Sequence, residues 1–138
     1  YHSGFEMRCL YSAWLLTGEA RIREALIKYY AFYLKNMFLE KRIPKHTPHR
    51  LNPIDIHSCS EAILCNTLLS TEFPQGKPYL ENSIEWILNN MQEKNGTFIY
   101  RLFILPGIQW RVVIPYIRWG QAWMLNALTS AMLHFVKK

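Results

Sequence analysis

The chain has 138 residues, 50% hydrophobic and 19% charged, enough apolar surface to build a core and too much for a disordered tail. The net charge of +6 points to an anionic partner: nucleic acid, a membrane surface or an acidic polysaccharide. Apolar runs fall short of the roughly 18–20 residues of a membrane span, and Cys9, Cys59 and Cys65 lack the spacing of a disulfide framework or zinc knuckle. No metal or cofactor is expected, and unpaired cysteines suit a reducing, cytoplasmic compartment. Aromatic residues make up 14%, including five Trp and eight Tyr, which suits either an ordinary core or a cleft that stacks on sugar rings.

From Phe5 to Leu16, the residues Phe5, Cys9, Leu10, Ala13, Trp14 and Leu16 recur at helical spacing, and Thr17-Gly18 breaks the pattern. Ile22, Leu26, Tyr29, Tyr30, Tyr33, Leu34 and Met37 trace a second helix to about residue 38, and so short a connection predicts an antiparallel hairpin. Glu40 to Pro53 holds three prolines and no period and is expected to be a loop. It carries a basic cluster of Lys41, Arg42, Lys45, His46, His49 and Arg50, which is also what a solvated connection looks like.

Pro53 suits the first turn of a third helix, marked by Ile56, Cys59, Ile63, Thr67 and Leu68. Thr71 to Lys77 turns the chain. Pro78 opens a fourth helix with the stripe Leu80, Ile84, Ile87, Leu88 and Met91. Thr97–Leu105 and Trp110–Tyr116, linked around Pro106-Gly107, predict one short β-hairpin. A fifth helix follows from about Trp119 to Phe135, with Trp123, Leu125, Leu128, Met132 and Phe135 apolar. The expected fold is all-α: antiparallel helix hairpins with one short β-hairpin before the last helix.

In such a row the first, third and fifth helices run parallel, so their N-termini emerge at one end. The chemically unusual residues lie there: His2 before the first helix, Asp55 and His57 at the third, and Tyr116, Arg118, Trp119 and Gln121 at the fifth. Each also has a plain structural reading. Asn52 or Asp55 caps a helix, His57 is a satisfied core histidine, Arg118 closes an ion pair with Asp55 or Glu61, and Tyr116 and Trp119 pack. Together, three helix N-termini with their free N–H groups favour an anionic or hydroxyl-rich ligand. Established catalytic motifs (GxSxG, HExxH, Walker loop, GxGxxG) are absent. Two-carboxylate glycoside hydrolysis requires Asp55, the only Asp, to come within range of Glu6 or Glu61.

The phrases Tyr1-His2-x-Gly4-Phe5, Pro53-Ile54-Asp55-Ile56-His57-Ser58 and Ile114-Pro115-Tyr116-Ile117-Arg118-Trp119-Gly120-Gln121-Ala122-Trp123-Met124 resemble the C-terminal part of α/α-toroid proteins encoded among bacterial surface-polysaccharide genes. Such proteins are similar in fold to six-hairpin glycosidases, terpenoid cyclases and the helical domain of glucuronyl C5-epimerases. The resemblance spans nearly the whole chain. It implies a cleft ringed by inner helices and, because a complete toroid needs about a dozen helices, a partial ring: residues 1–138 as one sector of a longer protein with an open cleft. Chains of this pattern can carry the name delta-aminolevulinic acid dehydratase. The residues argue against that activity, since βα alternation and a metal-ligand cysteine cluster are absent.

Two functions are expected from these readings. The first is binding or modifying an acidic polysaccharide, with His57 and Tyr116 in proton transfer, Arg118 as carboxylate clamp, Trp119 as stacking platform, and His2, Asp55 and Gln121 as further substrate contacts. The second is a non-catalytic interaction module that packs against another protein chain, or a second copy of itself, through the fifth helix. Nucleic acid ranks below both, because the basic loop has no interleaved aromatics.

Overall fold

The computed structural model describes residues 2–136; Tyr1, Lys137 and Lys138 lie outside the described residues. Helices α1 (His2–Thr17) and α2 (Ala20–Asn36) form the expected antiparallel hairpin, with the turn closed by a 2.8 Å hydrogen bond from Gly18 N to Trp14 O. Two short strands follow, β1 (Phe38–Leu39) and β2 (Ile43–Pro44), then β3 (Ile54–Asp55) running directly into α3 (Ile56–Leu69). A 3-10 turn at Pro74–Gly76 leads to α4 (Lys77–Met91). Strands β4 (Arg101–Leu105) and β5 (Ile108–Val112) form the expected hairpin, and a π-helical turn at Ile117–Gln121 opens α5 (Ala122–Val136).

The all-α expectation is therefore corrected. Among the described residues the protein is mixed, with five α-helices and two small antiparallel sheets, and is not an all-α partial toroid. One sheet pairs β1 with β2; the other has the order β3-β4-β5. Strands β1, β2 and β3 were unexpected for one reason: two-residue strands are too short to show a period of two, and their pairing partners supply the order. Pro53 precedes a strand rather than opening a helix, and Ile54 and Asp55 sit opposite Leu102 and Arg101. Asn52 extends the pairing with its side chain, donating to Ile104 O at 2.8 Å and accepting from Ile104 N at 2.9 Å.

Helix α3 is the centre of the fold. From Ile56 to Leu69 every residue except His57 and Leu68 is buried, as expected for a helix covered on all sides. It packs against α1, α4 and α5 and borders two cores. Ile56, Cys59 and Ile63 meet Leu80, Ile87, Leu102 and Met124, while Ala62, Cys65 and Leu69 meet Met7, Leu26, Tyr30 and Phe73. Burial pushes the Cys59 and Cys65 thiols up, so both remain neutral and behave as small hydrophobes. Cys9, by contrast, is exposed.

The β1–β2 turn carries strain. Glu40 and Lys41 have φ of 52° and 60°, successive left-handed residues where Asn-Gly is the favoured pair. A non-glycine residue there costs roughly 1–2 kcal/mol, partly offset in glycine by its greater backbone entropy. Lys41→Gly is therefore expected to stabilise the fold by about 0.5–1 kcal/mol, visible as a higher urea midpoint. An unchanged or lowered midpoint would show that the turn stores no such strain.

Candidate functional site

The N-terminal ends of α1, α3 and α5 converge, together with β4, on a cavity of about 590 Å³. Helix α1 contributes His2 and Phe5, the β3–α3 junction Asp55, His57, Ser60 and Glu61, and β4 with its lead-in Tyr100 and Arg101. The segment entering α5 adds Tyr116, Trp119 and Trp123, and the basic loop adds His46. Five of the seven residues expected at a site thus share one cavity: His2, Asp55, His57, Tyr116 and Trp119.

Asp55 organises the floor. Its backbone is extended, and as N-cap of α3 its Oδ1 accepts from His57 N at 3.0 Å. The same oxygen lies 3.0 Å from His57 Nδ1, and Oδ2 accepts from Arg101 Nε at 2.8 Å. Burial pushes the Asp55 carboxyl up, but the hydrogen bonds from Arg101 and from the backbone and ring of His57 outweigh it and hold the group below the ordinary carboxylate value. Asp55 is therefore ionised at neutral pH. In the tautomer in which Nδ1–H donates to Asp55, the other ring nitrogen of a neutral His57 is the acceptor, the arrangement a general base uses.

Aromatic rings wall the histidine. Tyr100 and Trp119 stand edge-on to His57 with centroids at 6.3 and 6.1 Å, and Tyr116 meets Tyr100 at 4.8 Å. Arg101 also lies over the Tyr100 ring, 4.6 Å from its centroid. On the opposite side Glu61 is clamped by Arg8, whose Nε and Nη2 donate at 3.1 and 2.8 Å. Gly4 allows this close approach of α1: a Cβ there would lie 3.2 Å from Glu61 Cβ. Asp55 and Glu61 do meet at one cavity, but each is paired with an arginine, while Glu6 accepts from Tyr29 Oη at 2.6 Å. Both cavity carboxylates are thus committed to arginine partners rather than left free to flank a glycosidic bond as a two-carboxylate hydrolase needs.

Two expected site residues lie elsewhere. Arg118 is exposed, and the cavity takes its guanidinium from Arg101, so the expected pairing of Asp55 with Arg118 is replaced by Asp55 with Arg101. Gln121 is structural: its amide donates to Phe98 O and accepts from Phe98 N, both at 2.8 Å, fixing the π-helical turn to the segment before β4. Arg101 and Tyr100 were missed because their relevance depends on strand β3, which sets Arg101 directly opposite Asp55. The sequence signal was an acid on one extended dipeptide and a cation on another, which spacing alone does not pair. Among the described residues no group of three His, Cys, Asp or Glu side chains could hold a metal ion, and no helix is long and apolar enough to cross a membrane.

Fold and site together define a mixed α/β protein with an aromatic-walled cavity at converging helix N-termini. Comparison with protein-family models, curated proteins and solved structures finds no match to this chain.

Proposed function

We propose that the cavity binds a unit of an acidic carbohydrate and that His57, oriented by Asp55, is its proton-transfer group. The observation that carries this reading is the Asp55–His57 pair set among Tyr100, Tyr116 and Trp119 with the Arg101 guanidinium beside it. A volume of about 590 Å³ lies in the range of small-ligand sites. Trp119, 59% exposed, offers a flat face to a sugar ring, and Tyr116 is the second proton-transfer candidate. Arg101 takes the clamp role expected of Arg118, since its terminal nitrogens remain for a ligand carboxylate after Nε is committed to Asp55. The family resemblance supports the same reading: its three phrases include His2, Phe5, Asp55, His57, Tyr116, Trp119 and Trp123, all on the cavity wall.

Calorimetric titration with uronic-acid and neutral oligosaccharides tests the proposal. Uronic-acid ligands should bind more tightly. Trp119→Ala should weaken binding of either ligand about tenfold, and Arg101→Gln should remove the acidic preference. Arg118→Ala should leave binding unchanged. Equal affinity for neutral and acidic sugars, or an effect of Arg118→Ala as large as that of Arg101→Gln, would sink it.

A second reading, packing against another protein chain or a second copy, is favoured by the outer face of α5, where Leu125, Met132, Leu133 and Phe135 are 68%, 58%, 50% and 41% exposed. Absence of glycan binding together with self-association in light scattering would favour it over the first.

A further inference from the structure

The β4–β5 hairpin ends in a ribbon that neither core covers. Every residue from Leu105 to Arg111 is exposed, and the turn is Pro106-Gly107, with Gly107 at φ 74°. Pairing places Leu105 opposite Ile108, Phe103 opposite Trp110 and Arg101 opposite Val112. Side chains two apart on a strand share a face, so these three pairs form one surface. From the tip inward the order is aliphatic, aromatic, then arginine beside valine. Ile108 and Trp110 are 65% and 64% exposed, and the Phe103 and Trp110 rings stack at 5.5 Å. Val113, Ile114 and Ile117, all exposed, continue the apolar surface beyond β5.

Leaving such a surface in water is unfavourable, and its grading matches one environment. A bilayer presents hydrocarbon, then an interface that favours Trp, then headgroups that attract arginine. Two rungs of the ribbon span roughly 7 Å at the usual rise per residue, within the depth that interfacial elements reach. The charge agrees. From Thr97 to Lys138 the sequence has no Asp or Glu but carries Arg101, Arg111, Arg118, Lys137 and Lys138. Arg101 and Arg111 are paired with Asp55 and Glu93, and Arg118 is exposed in the π-helical turn that follows β5 in the chain.

We infer that the β4–β5 tip, with Leu105, Ile108 and Trp110 leading, inserts into the surface of an anionic bilayer and makes this a peripheral membrane-binding protein. The insertion is shallow and reversible. It rests on apolar burial at the tip and on attraction between exposed Arg118 and lipid phosphates, and it does not draw on Arg101, which is paired with Asp55 in the cavity.

Vesicle flotation tests it. The wild-type protein should float with vesicles of equimolar phosphatidylglycerol and phosphatidylcholine at low salt. It should bind pure phosphatidylcholine far less and be released as salt rises. Ile108→Asp should lower the partition coefficient at least about tenfold, and Arg118→Gln about fivefold. Both positions are exposed, so circular dichroism and urea midpoints should match the wild type. A wild-type protein that stays with the solution, equal binding to neutral vesicles, or flotation of Ile108→Asp like the wild type would overturn the inference. So would a wild-type dimer that does not float and that Ile108→Asp returns to monomer, since the ribbon would then be a protein interface along the open edge of β5.

Discussion

Replacing Gly76 by Ala should cost about 2–6 kcal/mol of folding stability, the largest effect expected from adding one methyl group to this protein. A Cβ at Gly76 would lie 1.8 Å from Tyr30 Oη, 3.0 Å from Tyr30 Cζ and 3.2 Å from Asn66 Oδ1. None of these atoms yields easily. Tyr30 and Asn66 are fully buried, and the tyrosine hydroxyl donates to Asn66 Oδ1 at 2.6 Å, while Asn66 Nδ2 donates to Ala62 O. Burial pushes the Tyr30 hydroxyl up, so it stays a neutral donor.

The substitution therefore adds overpacking, roughly 1–3 kcal/mol, to the loss of a buried hydrogen bond whose partners cannot reach water, roughly another 1–3 kcal/mol. Tyr30→Phe removes the clashing oxygen and should cost only the hydrogen bond. The Gly76→Ala/Tyr30→Phe double variant should consequently lose much less than the sum of the singles. Urea denaturation of all three variants measures this. Additive losses, or a Gly76→Ala loss below about 1 kcal/mol, would mean that the 3-10 turn simply moves away.

Asp55→Ala should cost about 3 kcal/mol by a different route. It removes the N-cap of α3, about 1 kcal/mol, and a charge-assisted hydrogen bond from Arg101, about 1.5–3 kcal/mol, the latter reduced because Arg101 is 38% exposed. Because the folded carboxyl titrates below its unfolded value, the ionised form is the one that folding favours. Its contribution is fully present above the unfolded pKa of about 3.9 and is lost as pH falls through the lower folded value. Wild type should thus lose stability below about pH 4 more steeply than Asp55→Asn. Parallel pH profiles for the two proteins would remove Asp55 as the organising charge of the cavity. If His57 transfers protons, Asp55→Asn should also lower turnover more than binding, since it disturbs the orientation of the imidazole.

Helix positions were legible because the period of 3.6 is written in the residues, but the buried face was not always. In α5 the sequence suggests Trp123, Leu125, Leu128, Met132 and Phe135 as the apolar stripe, yet Met124, Ala127 and Ala131 are the buried residues and Leu125 and Met132 are exposed. Small side chains let α5 lie against α3, and the larger ones turn outward. In α1 the same reversal leaves Phe5 and Leu16 exposed and buries Gly4 and Met7, with Gly4 against Glu61. Hydrophobicity alone favours the bulkier stripe; close helix packing selects the smaller one.

Helices α1 to α5, the β4–β5 hairpin and the gathering of His2, Asp55, His57, Tyr116 and Trp119 at one end were legible in the residues alone. The helices follow from local periodicity, and the shared end from the alternating direction of successive helices, although strands and loops rather than short turns join α2 to α3 and α4 to α5. The two-residue strands, the partner of Asp55 and the place of Gln121 depend instead on long-range pairing. Ile54-Asp55 is ordered by β4, with Asp55 and Arg101 46 residues apart in the chain, and that pairing brings Arg101 rather than Arg118 to the carboxylate. A dipeptide has too little local preference to declare itself a strand, so the long-range hydrogen bonds that make it one also decide which charges meet.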